Sequence, residues 1–198
     1  MAKIVLASGS PRRQELLRRI GVTEFDIRVP DTEETYPAGL SPQETVAYIS
    51  REKSDAAAAL CTPEELIITA DTMVFLDDAR LGKPADEADA LRMLTALQGR
   101  SHTVCTGVTV RRGSEILTES ETTRVYFRPA DQAELLSYIA TGEPMDKAGA
   151  YGVQGMAALF VEGIAGDYFN VMGLPLHRLG RMLEEFGVDL FSSEEETA

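Results

Sequence analysis

The chain has 198 residues, 44% of them hydrophobic and 26% charged, enough apolar material for one domain with a substantial core. Its formal net charge of −13 argues against nucleic acid or an anionic membrane as the main partner. Cys61 and Cys105 are too few and too far apart for a disulfide framework or a zinc site, and the apolar run Ile4 to Ala7 is too short for a signal peptide, so a cytoplasmic protein with two buried free thiols is expected.

In chain order, the patterning predicts a strand over 3–7, a helix over 11–20 closed by Gly21, and a strand over 25–29. A polar loop with Asp31, Glu33 and Glu34 leads into a long helix over 42–60. An apolar β run over 66–70 follows, with 73–76 as a strand that pairs with it, and then a turn through Asp77–Pro84. A helix is expected over 86–97, stopped by Gly99. Two strands, 102–111 and 115–127, meet at the turn Arg112-Gly113-Ser114 and read as part of a second lobe. The remaining elements are a helix over 130–140, a strand over 158–162 and a helix over 175–186. The alternation gives an α/β fold with a mixed sheet and flanking helices, one domain over 1–190 in two lobes, and an acidic frayed tail over 191–198.

Several residues carry chemical potential. Ser10 fits a helix N-cap and Pro11 the first helical position, which puts Arg12 and Arg13 at the positive end of the helix dipole. Exposed cations there cost roughly 0.3–1 kcal/mol each. Free backbone N–H groups and two guanidinium groups at one helix start suit a phosphate, against the alternative of a solvated basic turn with Arg13 snorkelling. Arg13 also shares the core-facing stripe of Leu16, Leu17 and Ile20.

Asp71 directly follows an apolar strand, where α/β folds place their ligands. It could hold a metal, accept a proton from water, or cap a turn. Lys53 falls on the apolar stripe of Val46 and Ile49, either snorkelling or facing a cleft. Lys83 follows Gly82 and reads as a surface lysine or a phosphate contact, while Glu33 and Glu34 read as solvated loop residues. In "DKAGAYGVQG", Gly149, Gly152 and Gly155 surround Gln154, whose amide can read a base edge if the segment is more than a turn cluster. His102 and His177 are isolated and read as structural. Cations for phosphates and carboxylates for a hard divalent metal together suggest a nucleotide or phosphorylated ligand.

The segments "LASGSPRRQELL", "ADTMV", "GKP", "GRSHTVCTGV", "DKAGAYGVQG" and "GDYFNVMGLPL" occur in an order that resembles the Maf family of nucleoside triphosphate pyrophosphatases over residues 3 to about 186. The resemblance implies an inosine-triphosphatase-like α/β fold of two lobes around a central cleft, often dimeric. It implies cleavage of a nucleoside triphosphate to the monophosphate and pyrophosphate with a divalent cation, Mg²⁺ or Mn²⁺. In this chain Asp71 would accept the proton of the attacking water, with Lys53 beside it in the catalytic set. Ser8, Ser10, Arg12, Arg13, Lys53 and Lys83 would hold phosphates, and Glu34, with Glu33 as substitute, would join Asp71 at the metal.

Arg13, Thr72 and Gln154 stand at the specificity positions of the subgroup acting on dTTP and UTP. Modified pyrimidine triphosphates and a role in cleaning the nucleotide pool come with that subgroup. The alternatives are the family's methylated-guanine specificity, a nucleotide-binding regulator of septum formation without essential catalysis, and DNA binding, which the charge disfavours.

Overall fold

A computed structural model describes residues 3–33 and 35–191 of the chain. The sheet is built outward from β1 (Ile4–Leu6), which lies parallel to β2 (Asp26–Ile27) on one side and to β3 (Leu66–Leu76) on the other. Antiparallel pairing then carries it through β5 (Ser101–Arg112) and β6 (Glu115–Phe127) to β7 (Val161–Ala165). A short β4 (Ala79–Leu81) folds back on the end of β3. Among the described residues this makes one seven-stranded sheet of order β2-β1-β3-β5-β6-β7, with β4 off that path. The mixed α/β class expected from the alternation of helices and strands is the one found.

The sheet's two faces are covered by different helices. On one lies α2 (Pro42–Ala58), opened by a reciprocal capping box in which Ser41 and Glu44 bond each other's backbone N–H groups. Its inward stripe of Val46, Ile49, Ser50 and Ala57 is fully buried or nearly so. The other face carries the larger core, to which α1 (Pro11–Arg19), α3 (Glu87–Leu97), α4 (Gln132–Ile139) and α6 (Leu176–Glu185) contribute Leu16, Leu94, Leu135 and Leu179. A further one-turn helix, α5 (Tyr168–Met172), precedes α6. Among the described residues no helix is long and apolar enough to cross a membrane.

The sequence expectation is corrected at five places. Residues 73–76 do not pair with 66–70 but continue the same strand; their partners are β4 and β5. The segment expected as a strand over 158–162 is mostly a 3-10 turn, Met156–Phe160, before β7 begins at Val161. The turn through 77–84 contains β4, and α5 was not anticipated. Cys105 is buried as expected, whereas Cys61 is only partly so. The tail over 192–198 lies outside the described residues.

His102 bears out its structural reading. It is buried edge-on against Phe127 and Tyr151, with Nε2 sharing a 2.7 Å hydrogen bond with the Tyr151 hydroxyl. Burial lowers its pKa from 6.5 to about 4, so the folded protein holds it neutral. Between these two values the unfolded chain binds a proton that the native one refuses. Stability therefore falls as pH drops from about 6.5 towards 4, by up to about 1.4 kcal/mol per pH unit from this group. Urea midpoints across that range should show the slope, and His102→Gln should flatten it.

Candidate active site

The site begins with the register of β3 against β5. Asp71 stands directly opposite Gly107, and Thr72 opposite Thr106. Successive strand residues face opposite ways, so Asp71 points towards α2 and Thr72 towards α1. Gly107 has no side chain, and a Cβ there would overlap the Val46 backbone of α2. The helix therefore lies tight on the sheet at this point. Seven residues beyond Val46, Lys53 reaches across and donates from Nζ to Asp71 Oδ1 at 2.7 Å. The pair is largely removed from solvent, with side chains 15% and 6% exposed. Lys53 thus turns into a cleft and does not snorkel outward. The second oxygen, Asp71 Oδ2, is buried and has no hydrogen-bond partner among the described residues. A buried, unpartnered carboxylate oxygen is costly. It is also a ready acceptor for a water proton or a cation.

On the opposite face, Arg13 is held on three sides. Its Nε donates to the Gly173 carbonyl at 2.8 Å, and its two terminal nitrogens donate to Ser8 Oγ at 3.2 Å and Thr72 Oγ1 at 3.1 Å. Thr72 is backed in turn by Thr106, the two hydroxyls lying 2.9 Å apart, and Thr106 donates to the Asn170 carbonyl at 3.1 Å. Ser10 occupies the N-cap position of α1, but its side chain caps nothing. Its own N–H donates to Ser8 Oγ instead.

Arg12 donates to Asp146 Oδ2 at 2.9 Å, and Lys147 donates to Asp146 Oδ1 at 2.6 Å. Asp146 thereby ties the start of α1 to the glycine-rich segment 134 residues away in sequence. Burial pushes the Asp146 carboxyl up, but the bonds from Lys147 and Arg12 outweigh it and hold the group below the usual carboxylate range.

These side chains converge on a cavity of about 590 Å³. Its lining includes Ser8, Ser10, Arg12, Arg13, Lys53, Asp71, Thr72, Lys83 and Gln154, nine of the residues singled out from the sequence. Lys83 and Gln154 are exposed to the cavity mouth. Glu33 is exposed and absent from the lining, and Glu34 lies outside the described residues. The lining adds Asp146 and Lys147, which sequence reasoning passed over, although both stand at the start of the glycine-rich segment. Among the described residues, five cations face the cavity against two carboxylates, in a protein of net charge −13. Such a local excess of positive charge in a concave, low-dielectric setting selects a small polyanion.

No group of three potential ligands among His, Cys, Asp and Glu gathers anywhere in the described residues. Asp71 nonetheless fits a hard divalent cation, because Oδ2 is uncommitted and Mg²⁺ is commonly held by one or two carboxylates with substrate phosphates completing its shell.

The fold places the protein in a class. It is shared with the Ham1 protein of Coxiella burnetii (TM-score 0.50, 15% identity, 93% of this chain and 100% of that one) and the Ham1 protein of Staphylococcus aureus (TM-score 0.51, 15% identity, 93% and 99%). At that identity the likeness is one of architecture alone, a mixed sheet with flanking helices. Sequence comparison narrows the class: the family model described as Maf-like protein matches residues 3–186, and the chain belongs to the Maf family. It is 48% identical over 192 residues to the dTTP/UTP pyrophosphatase of Symbiobacterium thermophilum, covering 97% of this chain and 98% of that protein. It is equally similar, at 48% over 192 residues, to the dTTP/UTP pyrophosphatase of Pelotomaculum thermopropionicum, covering 96% and 100%.

Proposed function

We propose that the chain is a metal-dependent nucleoside triphosphate pyrophosphatase acting on dTTP and UTP, with modified pyrimidine triphosphates among its substrates. The observation that carries this reading is the cation-lined cavity with one buried carboxylate, Asp71, whose Oδ2 has no partner among the described residues. The names of the Maf-family relatives support the same activity. The two unpaired cysteines suit a reducing compartment such as the cytoplasm.

In this reading Arg12 and Lys83 take the phosphates at the cavity mouth, while Ser8 and Ser10 line the turn beneath them. Asp146 is displaced from Arg12 by the incoming polyanion, which offers a higher charge to the same guanidinium. Lys53 orients the Asp71 carboxylate through its bond to Oδ1. Oδ2 takes a proton from the water that attacks the α-phosphorus. The bond from that phosphorus to the α–β bridging oxygen breaks, the monophosphate keeps the new oxygen, and pyrophosphate leaves. Asp71 and Glu34 would hold a divalent cation, which when bound would supply charge neutralisation of the phosphates. Arg13 and Thr72, locked together beneath the cavity, set the shape of the floor, and Gln154 offers an amide to the base.

The test is pyrophosphate release from dTTP, UTP, CTP, GTP and 7-methyl-GTP with Mg²⁺ or Mn²⁺. Release from dTTP and UTP in preference to the others is expected, and none from any pyrimidine triphosphate would sink the reading. Within the same assay, Arg12→Ala should weaken all triphosphates alike, because its free contacts are with charge alone. Arg13→Ala should instead change the ratio between nucleotides, because Arg13 holds Thr72 and the Gly173 carbonyl in place. A uniform loss in Arg13→Ala would assign it to phosphate binding only.

A further inference from the structure

The segment that presents Gln154 is held by the carboxylate of Glu143. Gln154 sits in the turn Gly152–Gly155, closed by the Gly155 N–H donating to the Gly152 carbonyl at 3.0 Å. Glu143, in the 3-10 turn Glu143–Asp146 that follows α4, lies against this turn. Its Oε2 accepts the Met156 N–H at 2.9 Å, and its Oε1 accepts the Tyr138 hydroxyl at 2.9 Å. The Tyr138 side chain belongs to the packed face of α4 and is only 3% exposed. A Cβ at Gly155 would overlap the Glu143 carboxylate. Glycine there lets the acid come close enough to seat the turn. The Glu143 carbonyl meanwhile accepts Lys147 Nζ at 2.6 Å, at the far end of the same segment.

From this geometry we propose that Glu143 is a positioning residue for base selection: it fixes the turn that carries Gln154 at a set distance from the phosphate-facing cations. The proposal rests on the nucleotide reading of the cavity. With the phosphates anchored at Arg12 and Lys83, the depth left before the Gln154 amide acts as a ruler for base size. A pyrimidine edge meets the amide, while a purine overruns it. Loosening the turn leaves the anchor intact and blurs the ruler. Neither Glu143 nor Tyr138 lines the cavity, so both act only through the turn.

The experiment compares binding of the α,β-imido analogues of UTP and GTP by calorimetry, with inhibition by inorganic pyrophosphate as a measure of the phosphate anchor. Glu143→Ala is expected to lower the preference for the UTP analogue about tenfold, the equivalent of losing about one hydrogen bond to a carboxylate. Glu143→Gln, which keeps one acceptor, should restore part of it. Tyr138→Phe, which leaves the carboxylate but removes its hydroxyl donor, should fall between wild type and Glu143→Ala. Pyrophosphate inhibition should stay within about twofold of wild type in all three.

If Glu143→Ala does not fold, Tyr138→Phe carries the test. An unchanged preference in Tyr138→Phe or Glu143→Ala overturns the proposal. So does an equal loss for both analogues with a matching loss of pyrophosphate inhibition, which is what a merely structural role would give. A wild type without preference overturns it too. Failure of the functional reading is seen separately, as absence of pyrophosphate release from dTTP and UTP by the wild type.

Discussion

Asp71→Asn is expected to lower pyrophosphate release from dTTP by about 10² to 10⁴, the range over which a positioned general base contributes. Affinity for the α,β-imido analogue of dUTP should change little. The asparagine carbonyl can still accept Lys53 Nζ where Oδ1 does now, at 2.7 Å, so the contact between α2 and β3 persists. What is lost is the basicity of the oxygen opposite, the one that lacks a partner among the described residues. Turnover near the wild-type rate would remove Asp71 from the chemistry. A melting temperature close to wild type should accompany the loss, separating it from unfolding.

Gly107→Ala should have the largest effect on stability, about 3 kcal/mol, at the upper end of what overpacking costs. Most small-to-large changes meet side chains that can rotate away. Here the new methyl group would meet the Val46 carbonyl and the Ala47 amide of α2, which are backbone atoms inside a helix. The helix must lift as a body. Gly107 pairs with Asp71 across the strands, so the lift occurs where Lys53 crosses to the carboxylate. Activity should fall with stability, and urea unfolding read beside pyrophosphate release would show both. A midpoint within about 0.5 kcal/mol of wild type would mean that α2 does not rest on this glycine as tightly as the geometry says.

The residues of the cavity were more legible than the shape of the chain that assembles them. The strand, turn and helix around Ser8–Arg13 could be read from apolar spacing and from Pro11 at the first helical position, and Lys53 from its place on an inward stripe. Asp71 was visible as an acid at a strand's end, but β3 does not end there. A polar pair in an apolar strand reads as a break, yet β3 runs on for 11 residues because each polar side chain finds a partner from elsewhere. Asp71 takes Lys53 of α2, and Thr72 takes Thr106 of β5 and Arg13 of α1. The run after Gly155 failed in the opposite sense. Its apolar residues suggest a strand, but the Met156 N–H is claimed by Glu143, and the backbone turns through a 3-10 helix before joining β6.

The class of fold, the acidic overall charge, the helix that starts with two arginines and, through ordered motifs, the family are legible along the chain. These are properties of local spacing and composition, and they do not depend on what lies across the fold. The tertiary structure decided which charges are paired. It set Asp146 between Arg12 and Lys147, Lys53 on one oxygen of Asp71, and Glu143 beneath the turn of Gln154. A buried charge or hydrogen-bonding group is tolerated only beside a partner, and in this protein the partners come from elements far apart in the chain. The two arginines that mismatch the dipole of α1 are thus offset by an aspartate 134 residues further on and by the carbonyl that ends α5.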